Sequence, residues 1–430
     1  MPLETINHVV CTGCALLCDD INVGVQLGTI QEVHNACLRG SKKIRFSSDK
    51  SRLKGAELRS GEDPSTAAPA EIDEAIGVAV GILREAKAPL ICGGTKLPCE
   101  AQAVLLDLSG KLNAPIAVKG YTEHVEASKA IQDRGISTCT LGEAVNNADL
   151  LVFWGANPVD LGPKLLARTV FSRGRYRQSG KEVKKMATID EYPTPTMERS
   201  DIRVEIPDGE FGACLQALVA RLEQKGISLP PELAAETQDT SNIPPAIEDL
   251  ADAMVNSEYC IVFVGEAVLN HQFLQGNPTF LDQLFGLLGA LSTQVRIETI
   301  PMEYSTNRAG LFNEHVLRGS GPPIVDLHEA IEKDGPFDVI LVIGEDIVSA
   351  VDRDLLEKIQ GAKIVAVDVK RTPTTDLAVA VLPVAMSGIE AGGTMIRFDG
   401  AMLKLAPPIQ KKEALKTDEE ILQLLVEAFR

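Results

Sequence analysis

From about residue 71 the chain alternates between two hydrophobic periods. Ile72, Ile76, Val80 and Leu83 recur at helical spacing over 71–86, and the apolar run Pro89-Leu90-Ile91-Cys92 then ends in Gly93-Gly94. Similar short runs recur at 150–155, 186–190, 259–265, 339–344 and 364–368, each closing on Gly or Asp. Continuous apolar runs between helical patterns predict a parallel sheet covered on both faces. Residues 1–50 read differently. Ile21–Val25 and Thr29–Val33 alternate with period two and predict strands of a small separate unit. Residues 51–70 are rich in Ser, Gly and Pro and predict an exposed linker, and 225–247, with two Pro-Pro pairs, a connection.

The pattern repeats in detail. Asp149-Leu-Leu-Val-Phe-Trp-Gly155 parallels Asp338-Val-Ile-Leu-Val-Ile-Gly344. The strand ending at Asp190 is followed by Thr194-Pro195-Thr196, and the one ending at Asp368 by Thr372-Pro373-Thr374 at the same offset. Each copy closes with a run into a proline, Pro207 and Pro383. This is the signature of a duplicated dinucleotide-type fold.

Composition narrows the function classes. A net charge of −18 over 430 residues argues against nucleic-acid binding, because a phosphate backbone is repelled on average. The small basic group Lys181, Lys184 and Lys185 does not alter that. No apolar run is long enough for a membrane span, and Met1-Pro2-Leu3-Glu4 lacks the features of a secretory leader, so the expected location is the cytoplasm. Nine cysteines in such a chain read as metal ligands plus buried thiols, the latter being Cys92, Cys99, Cys139, Cys214 and Cys260.

The strongest chemical signal is Cys11-x2-Cys14-x3-Cys18-x18-Cys37. Three closely spaced thiolates on a turn, closed by a fourth, suit a [4Fe–4S] cluster, and a structural zinc is the competing occupant. The expected architecture is therefore α/β: a small N-terminal iron–sulfur unit over 1–55, then duplicated doubly wound parallel-sheet, Rossmann-like domains over 56–224 and 225–405, and a C-terminal helix over 406–430. Trp154-Gly155-Ala156-Asn157-Pro158 forms a turn at a strand end, where open α/β sheets bind ligands. Asp190 and Asp368 are placed to accept hydrogen bonds from a ribose or a guanine edge, or simply to cap the next element. The glycine-dense stretch Gly388–Gly400 can approach a phosphate or be a surface turn. His124, beside Glu123 and Glu126, is either an acid–base or metal group or part of a solvated helix face.

Taken together, Cys11–Ile21, Asn35-Ala36-Cys37, Thr138–Glu143, Trp154–Pro158, the Asp368–Pro383 run and Glu390-Ala-Gly-Gly-Thr394 resemble the B-type chain of formylmethanofuran dehydrogenase, within the molybdopterin oxidoreductase superfamily. The resemblance implies a [4Fe–4S] cluster on Cys11, Cys14, Cys18 and Cys37. It also implies a bis-molybdopterin guanine dinucleotide carrying Mo or W. Its contacts would come from Trp154, Gly155, Asn157, Pro158, Asp190, Asp368, Thr372, Asp376, Glu390, Gly393 and Thr394. Such complexes reduce carbon dioxide to formate, and partner subunits of A, C and D types handle the furan-type C1 carrier. One position departs. Where the family carries a metal-liganding Cys before His-Gly-Pro, this chain has Glu123-His124-Val125-Glu126. A hard carboxylate replaces a soft thiolate, which resembles the bacterial formyltransferase/hydrolase version of the complex, where the B-type chain is mainly scaffold. An active Mo/W oxidoreductase subunit with an unusual ligand, and a formate-dehydrogenase-like or respiratory subunit, are the alternatives.

Overall fold

The structure is a computed structural model that describes residues 2–60, 66–233, 241–269, 271–302, 305–319 and 321–429. The chain forms two compact units, one comprising 1–121, 305–397 and 402–430, the other 122–304 and 398–401. The first unit opens with an antiparallel sheet of β1 (Glu4–Val9), β2 (Ile21–Gln26) and β3 (Thr29–His34). Next come β4 (Ala56–Arg59) and β5 (Ala67–Ala70), then β6 (Pro89–Gly93) and β7 (Ile116–Val118). The second unit holds β8 (Leu150–Trp154), β9 (Lys185–Asp190), β10 (Ile202–Glu205), β11 (Cys260–Val264) and β12 (Ile297–Pro301). The chain then returns to the first unit for β13 (Ile324–Asp326), β14 (Val339–Ile343), β15 (Lys363–Asp368) and β16 (Ala380–Pro383). The ribbon β17 (Gly393–Ile396) and β18 (Met402–Leu405) follows.

The second unit's sheet has the order β10-β9-β8-β11-β12, all parallel. The first unit's large sheet runs β13-β7-β6-β14-β15-β16-β4-β5. Its first six strands are parallel, and β4 and β5 add an antiparallel edge. Inside it, β16-β15-β14-β6-β7 reproduces the second sheet strand for strand. Register is reproduced as well: Asp190 faces Glu205 across β9 and β10, and Asp368 faces Pro383 across β15 and β16.

The paired aspartates Asp149 and Asp338 have a common purpose. Asp149 accepts the Glu258 and Tyr259 N–H groups at 2.9 and 2.8 Å, tying the start of β8 to that of β11. Asp338 accepts the Lys87 and Ala88 N–H groups at 2.7 and 2.9 Å and ties β14 to β6 in the same way. Strands β8, β11 and β14 are buried along their whole length, which is why they read as unbroken apolar runs. Leu150, Val152 and Trp154 face one core with Val262, Val264 and Phe211. On the opposite face Phe153 stacks on Phe263, ring centroids 4.9 Å apart.

Two expectations change. Residues 51–70 are not simply a linker, because 56–59 and 67–70 are strands at the sheet's edge. The outermost, 67–70, is exposed at three of its four residues and so carries no hydrophobic alternation, and Pro69 is tolerated on such an edge. The linear boundaries at 56–224 and 225–405 do not coincide with the compact units. Position 224 ends the helix Phe211–Gln224, and Pro245 caps the helix Ala246–Asn256, both inside the second unit. The Pro-Pro pairs therefore mark a helix–helix connection within a unit. The copies also have different chain orders, since β6 and β7 precede β14 whereas β11 and β12 follow β8. Among the described residues, no helix is long and apolar enough to cross a membrane.

Glycine positions separate tight from loose sites. A Cβ on Gly93, where φ is 101°, would lie 2.3 Å from the Ile343 carbonyl oxygen, whereas at Gly77 and Gly81 of helix Ile72–Glu85 it would meet nothing within 4 Å. Gly77→Ala and Gly81→Ala should each stabilise the chain by about 0.5–1 kcal/mol in urea unfolding. Gly93→Ala should lower the midpoint sharply or abolish soluble expression.

Candidate functional site

The cysteine site is built from a loop and a helix start. The Cys11 N–H donates to the Cys18 carbonyl at 2.8 Å and the Leu17 N–H to that of Cys14 at 3.1 Å, curling 11–18 back on itself with Cys11, Cys14 and Cys18 buried. Cys37 caps the helix Leu38–Arg45, its sulfur accepting the Gly40 N–H at 3.4 Å. A Cβ on Gly40 would sit 3.0 Å from the Cys11 sulfur and 3.7 Å from that of Cys37. The bare glycine thus leaves room where two of the four thiols approach. Burial pushes the Cys11 thiol up to about 12, and the neighbouring Cys18, Cys14 and Cys37 push in the same direction. None of the four is in a disulfide, and all are close enough to interact, which fits a four-thiolate donor set whose loading must release protons. Among the described residues no three His, Cys, Asp or Glu side chains are placed to hold a single metal ion.

This loop sits on the glycine-dense one. The Thr12 hydroxyl donates to the Ser387 carbonyl at 3.0 Å, and a Cβ on Gly388 would lie 2.7 Å from Thr12 Cγ2. Val10 and Leu17 pack with Met395 and Leu405 of the β17–β18 ribbon. Arg39 and Lys43, four apart on one helix face, reach the same region. Arg39 acts on Cys14. Burial lowers the Lys43 ammonium, Lys96 lowers it further, and Asp368, Asp418 and Cys11 oppose them. The structure therefore brings the cysteines, Asp368 and the Gly388–Thr394 loop into one neighbourhood of the first unit. Lys43, Lys96 and Asp418 belong to it too, although sequence reading did not single them out. The i, i+4 spacing of Arg39 and Lys43 just after Cys37 was the available signal.

Glu390 has a defined partner. Its carboxylate pairs with Arg52 at 2.7 Å with side-chain exposures of 3% and 2%, and accepts the Met386 N–H at 2.8 Å. Arg52 also donates to the carbonyls of Leu53, Val369 and Val384 at 3.0, 2.9 and 2.7 Å. Glu390 thus holds the loop together from inside. Gly393, at φ 132°, lets the ribbon pass Pro98, whose Cβ would lie 2.6 Å from an added Cβ, and the Thr394 N–H donates to Glu100 at 2.9 Å. Asp368 accepts the Val369 and Lys370 N–H groups at 2.6 and 3.1 Å. Thr372 caps the helix Pro373–Leu377 with Thr375 in a reciprocal box, and Asp376 pairs with Arg371 at 3.1 Å on the surface.

The remaining sequence candidates lie in the second unit. Trp154 is fully buried in its core, with the indole N–H facing no acceptor among the described residues. Gly155 turns at φ 56°. Asn157 precedes Pro158 at the start of the short helix Pro158–Leu161, accepts the Thr196 hydroxyl at 2.6 Å and donates to Asp160 at 2.6 Å. Asp190 accepts the Glu191 N–H at 2.9 Å, and burial raises its carboxyl to about 6. His124 is buried on the helix Tyr121–Arg134, not on a solvated face. The Glu123 side chain lies outside the described residues.

Comparison with known proteins places this arrangement. The chain is 26% identical over 444 residues, 100% of its length and 99% of the relative's, to the B-type chain of tungsten-containing formylmethanofuran dehydrogenase 2 from Methanocaldococcus jannaschii. It is 26% identical over 440 residues, covering 99% and 98%, to the same-named protein of Methanococcus maripaludis. No family profile matches. Among solved structures, a chain of the formyltransferase/hydrolase complex FhcABCD of Methylorubrum extorquens, crystallised with methylofuran, superposes with TM-score 0.63 at 16% identity. That match covers 87% of this chain and 98% of that one. Acetylene hydratase of Pelobacter acetylenicus gives TM-score 0.72 at 13% identity, covering 99% and 69%. The structural matches establish the α/β fold. The sequence matches make the chain a full-length relative of the formylmethanofuran dehydrogenase B-type chain, as its motifs predict.

Two outcomes follow from these environments. Glu390→Ala leaves the Arg52 guanidinium charged and buried, and should cost about 3–5 kcal/mol in chemical denaturation, with Arg52→Ala similarly costly. For Asp190 the folded pKa of about 6 lies above its ordinary 3.8. The folded state therefore holds the proton more tightly, and this group's contribution to stability is full at low pH and declines as pH rises through about 6. Asp190→Asn should remove that decline, so its melting temperature relative to wild type should rise between about pH 4 and about pH 6.5 and level off above that.

Proposed function

We propose that this chain is the B-type member of a multi-subunit, formylmethanofuran dehydrogenase-type complex in cytoplasmic one-carbon metabolism. The complex interconverts formyl-furan, formate and carbon dioxide, and this chain's own part in it is largely structural. The observation that carries the reading is the extent of the likeness to the B-type relatives, 100% of this chain against 99% of the first of them, which excludes a shared isolated domain. Its partners are subunits of A, C and D types, and the furan-type carrier is bound by them. The structurally solved FhcABCD complex, with 98% of one chain covered, is the assembly this reading follows.

The structural emphasis rests on residue 123. Glu123-His124-Val125-Glu126 stands where the resemblance implies a thiolate ligand followed by His-Gly-Pro. Carboxylate oxygen is a hard donor and thiolate sulfur a soft one. Val125 and Glu126 also replace the backbone freedom of glycine and the fixed φ of proline. A Mo- or W-pterin, when bound, supplies two-electron chemistry between carbon dioxide and formate. In this chain Cys11, Cys14, Cys18 and Cys37 would hold a [4Fe–4S] cluster, with Arg39 and Lys43 offsetting the charge of its thiolates. The four intact cysteines are the observation favouring the second reading, an active Mo/W-bis-pterin chain reducing carbon dioxide.

Metal analysis of the complex, purified anaerobically from a host supplied with tungstate and molybdate, decides between them. The expected result is about four irons and four sulfides per chain, lost in Cys14→Ser, with no stoichiometric Mo or W and no viologen-coupled formate oxidation. Zinc in place of iron would overturn the cluster assignment. Stoichiometric Mo or W with formate oxidation would establish the second reading.

A further inference from the structure

Because the two sheets are copies, their strand ends can be compared position by position. Gly155 N–H donates to Ile189 O at 2.8 Å, as Gly344 N–H does to Val367 O at 2.9 Å. Gly265 N–H reaches Trp154 O at 2.9 Å, as Gly94 N–H reaches Ile343 O at 3.2 Å. The Thr196 hydroxyl donates to Asn157 at 2.6 Å, and that of Thr374 to Asp346 at 2.7 Å. These equivalences align Ala267 with Lys96, Glu191-Tyr192-Pro193 with Val369-Lys370-Arg371, and Pro158 with Ile347.

The first difference is room. A Cβ added at Gly344 would meet only Lys96 Cβ, at 3.8 Å, so the turn after β14 is open. At Gly155 it would meet Ala267 Cβ, Val268 Cγ1 and the Val268 nitrogen, all at 3.1 Å, so the corresponding space after β8 is filled by the chain itself. One backbone donor is also missing there: Val159 N–H goes to the Thr196 hydroxyl at 3.4 Å just as Val348 N–H goes to that of Thr374 at 3.2 Å, but Pro158 has no N–H where Ile347 has one.

The second difference is charge. The turns at the second unit's strand ends carry Asp160, Asp190, Glu191, Glu205, Asp208 and Glu266, with no Lys or Arg among residues 155–160, 190–197, 205–209 and 265–269, and the Arg199 guanidinium that reaches the 190–197 turn is held by the Pro195 carbonyl. The equivalent turns of the first unit carry Lys96, Lys370 and Arg371 beside Glu345, Asp346 and Asp368. Lys96 donates to Gly344 O at 2.8 Å and pairs with Glu345 at 3.0 Å, which fixes its ammonium at the open turn. Lys370 lies on the rim of the same turns, directly after Asp368 and Val369. A single acid suits a ribose hydroxyl. Six acids that outnumber one neighbouring cation, Arg199, already bound to a carbonyl, repel a diphosphate, most strongly where water is scarce.

We infer that only the first unit's strand end accepts a phosphate-bearing ligand of the nucleoside diphosphate type, and that the duplicated end in the second unit does not. The chain then holds one such group where a bis-dinucleotide cofactor would need two. The inference deepens the function proposed above and takes from it only the class of ligand. It also gives that reading a cause outside position 123, since a cofactor gripped at both ends cannot seat on one.

Counting nucleotides tests it. In the purified complex, guanosine nucleotide released by acid is quantified per chain, and the remaining capacity is titrated calorimetrically with GDP. Released and titrated nucleotide should sum to one. Lys96→Ala and Lys370→Ala should each weaken GDP binding by about tenfold, the loss of one charged contact. Glu266→Ala should leave it unchanged. Circular dichroism and retained cluster iron check that the variants fold. A sum of two, a sum of zero, or a single site insensitive to both lysines would overturn the inference. Stoichiometric tungsten with a sum of one would overturn the structural reading above and leave this inference standing, whereas tungsten with a sum of two would overturn both.

Discussion

A single guanidinium organises the chemistry-bearing half of the molecule. Arg52 leaves the N-terminal segment, enters the interior and donates to Leu53, Val369, Val384 and Glu390. Those four acceptors come from the segment after the cysteine unit, the turn following β15, the end of β16 and the glycine-dense loop. A buried cation is tolerated only when most of its donors are met; here the four segments take four of them and the Nε–H has no acceptor among the described residues, so the segments must assemble together. The Glu390 carboxylate then also takes the Met386 N–H and closes the loop. That loop is the surface on which Thr12 and the cysteine loop rest. The position of the thiols relative to the β15 strand end thus depends on one ion pair.

How much was legible follows from what each feature requires locally. The central strands could be read because burial on both faces removes every charged residue from them. Asp149 and Asp338 could be matched because each does the same job, bonding two amides of a neighbouring strand start. The cysteine spacing could be read because the ligands lie close in sequence. Arg52 and Glu390 could not be paired, since the residues that meet in space are far apart in the chain and each alone resembles a surface charge. The edge strand 67–70 was hidden by its exposure, and 56–59 by having a single fully buried residue and no alternation. The interleaving of the units was hidden because similarity at β8 and β14 gives no sign that the partner strand follows in one copy and precedes in the other.

Duplication followed by divergence accounts for the contrast between the two strand ends. The hydrogen bonds that set backbone shape, at Gly155 and Gly344 and at Thr196 and Thr374, are kept in both copies because both sheets need them to fold. Side chains that point away from that framework are free to change. Ala267 in place of Lys96 and Glu191 in place of Val369 alter what the mouth can hold without disturbing the sheet. On the inference drawn above, the resemblance survives in the scaffold more fully than in the positions that would face a ligand, and motif likeness at Trp154–Pro158 reports the fold first.

In the structural role proposed above, the cysteines look superfluous until the packing of the N-terminal unit is considered. β1 is exposed along most of its length, and β3 buries a single residue, Ile30. Only β2, with Ile21, Val23 and Val25 buried, brings substantial apolar surface to this sheet, and three short strands with one such member are marginal by themselves. A side-chain hydrogen bond from Thr12 and a small cluster of Val10, Leu17, Met395 and Leu405 hold 11–18 against 387–396, and the approach of the thiols links it to the helix start at Cys37. Metal ligation at such a place contributes folding free energy directly, because an assembled site does not exist in the unfolded chain. Without it, buried thiols crowded together have neither charge nor bond to oppose separation. A cluster on Cys11, Cys14, Cys18 and Cys37 would therefore be kept for the same reason as Arg52, to hold a weakly packed segment in place, whether or not an electron ever crosses it.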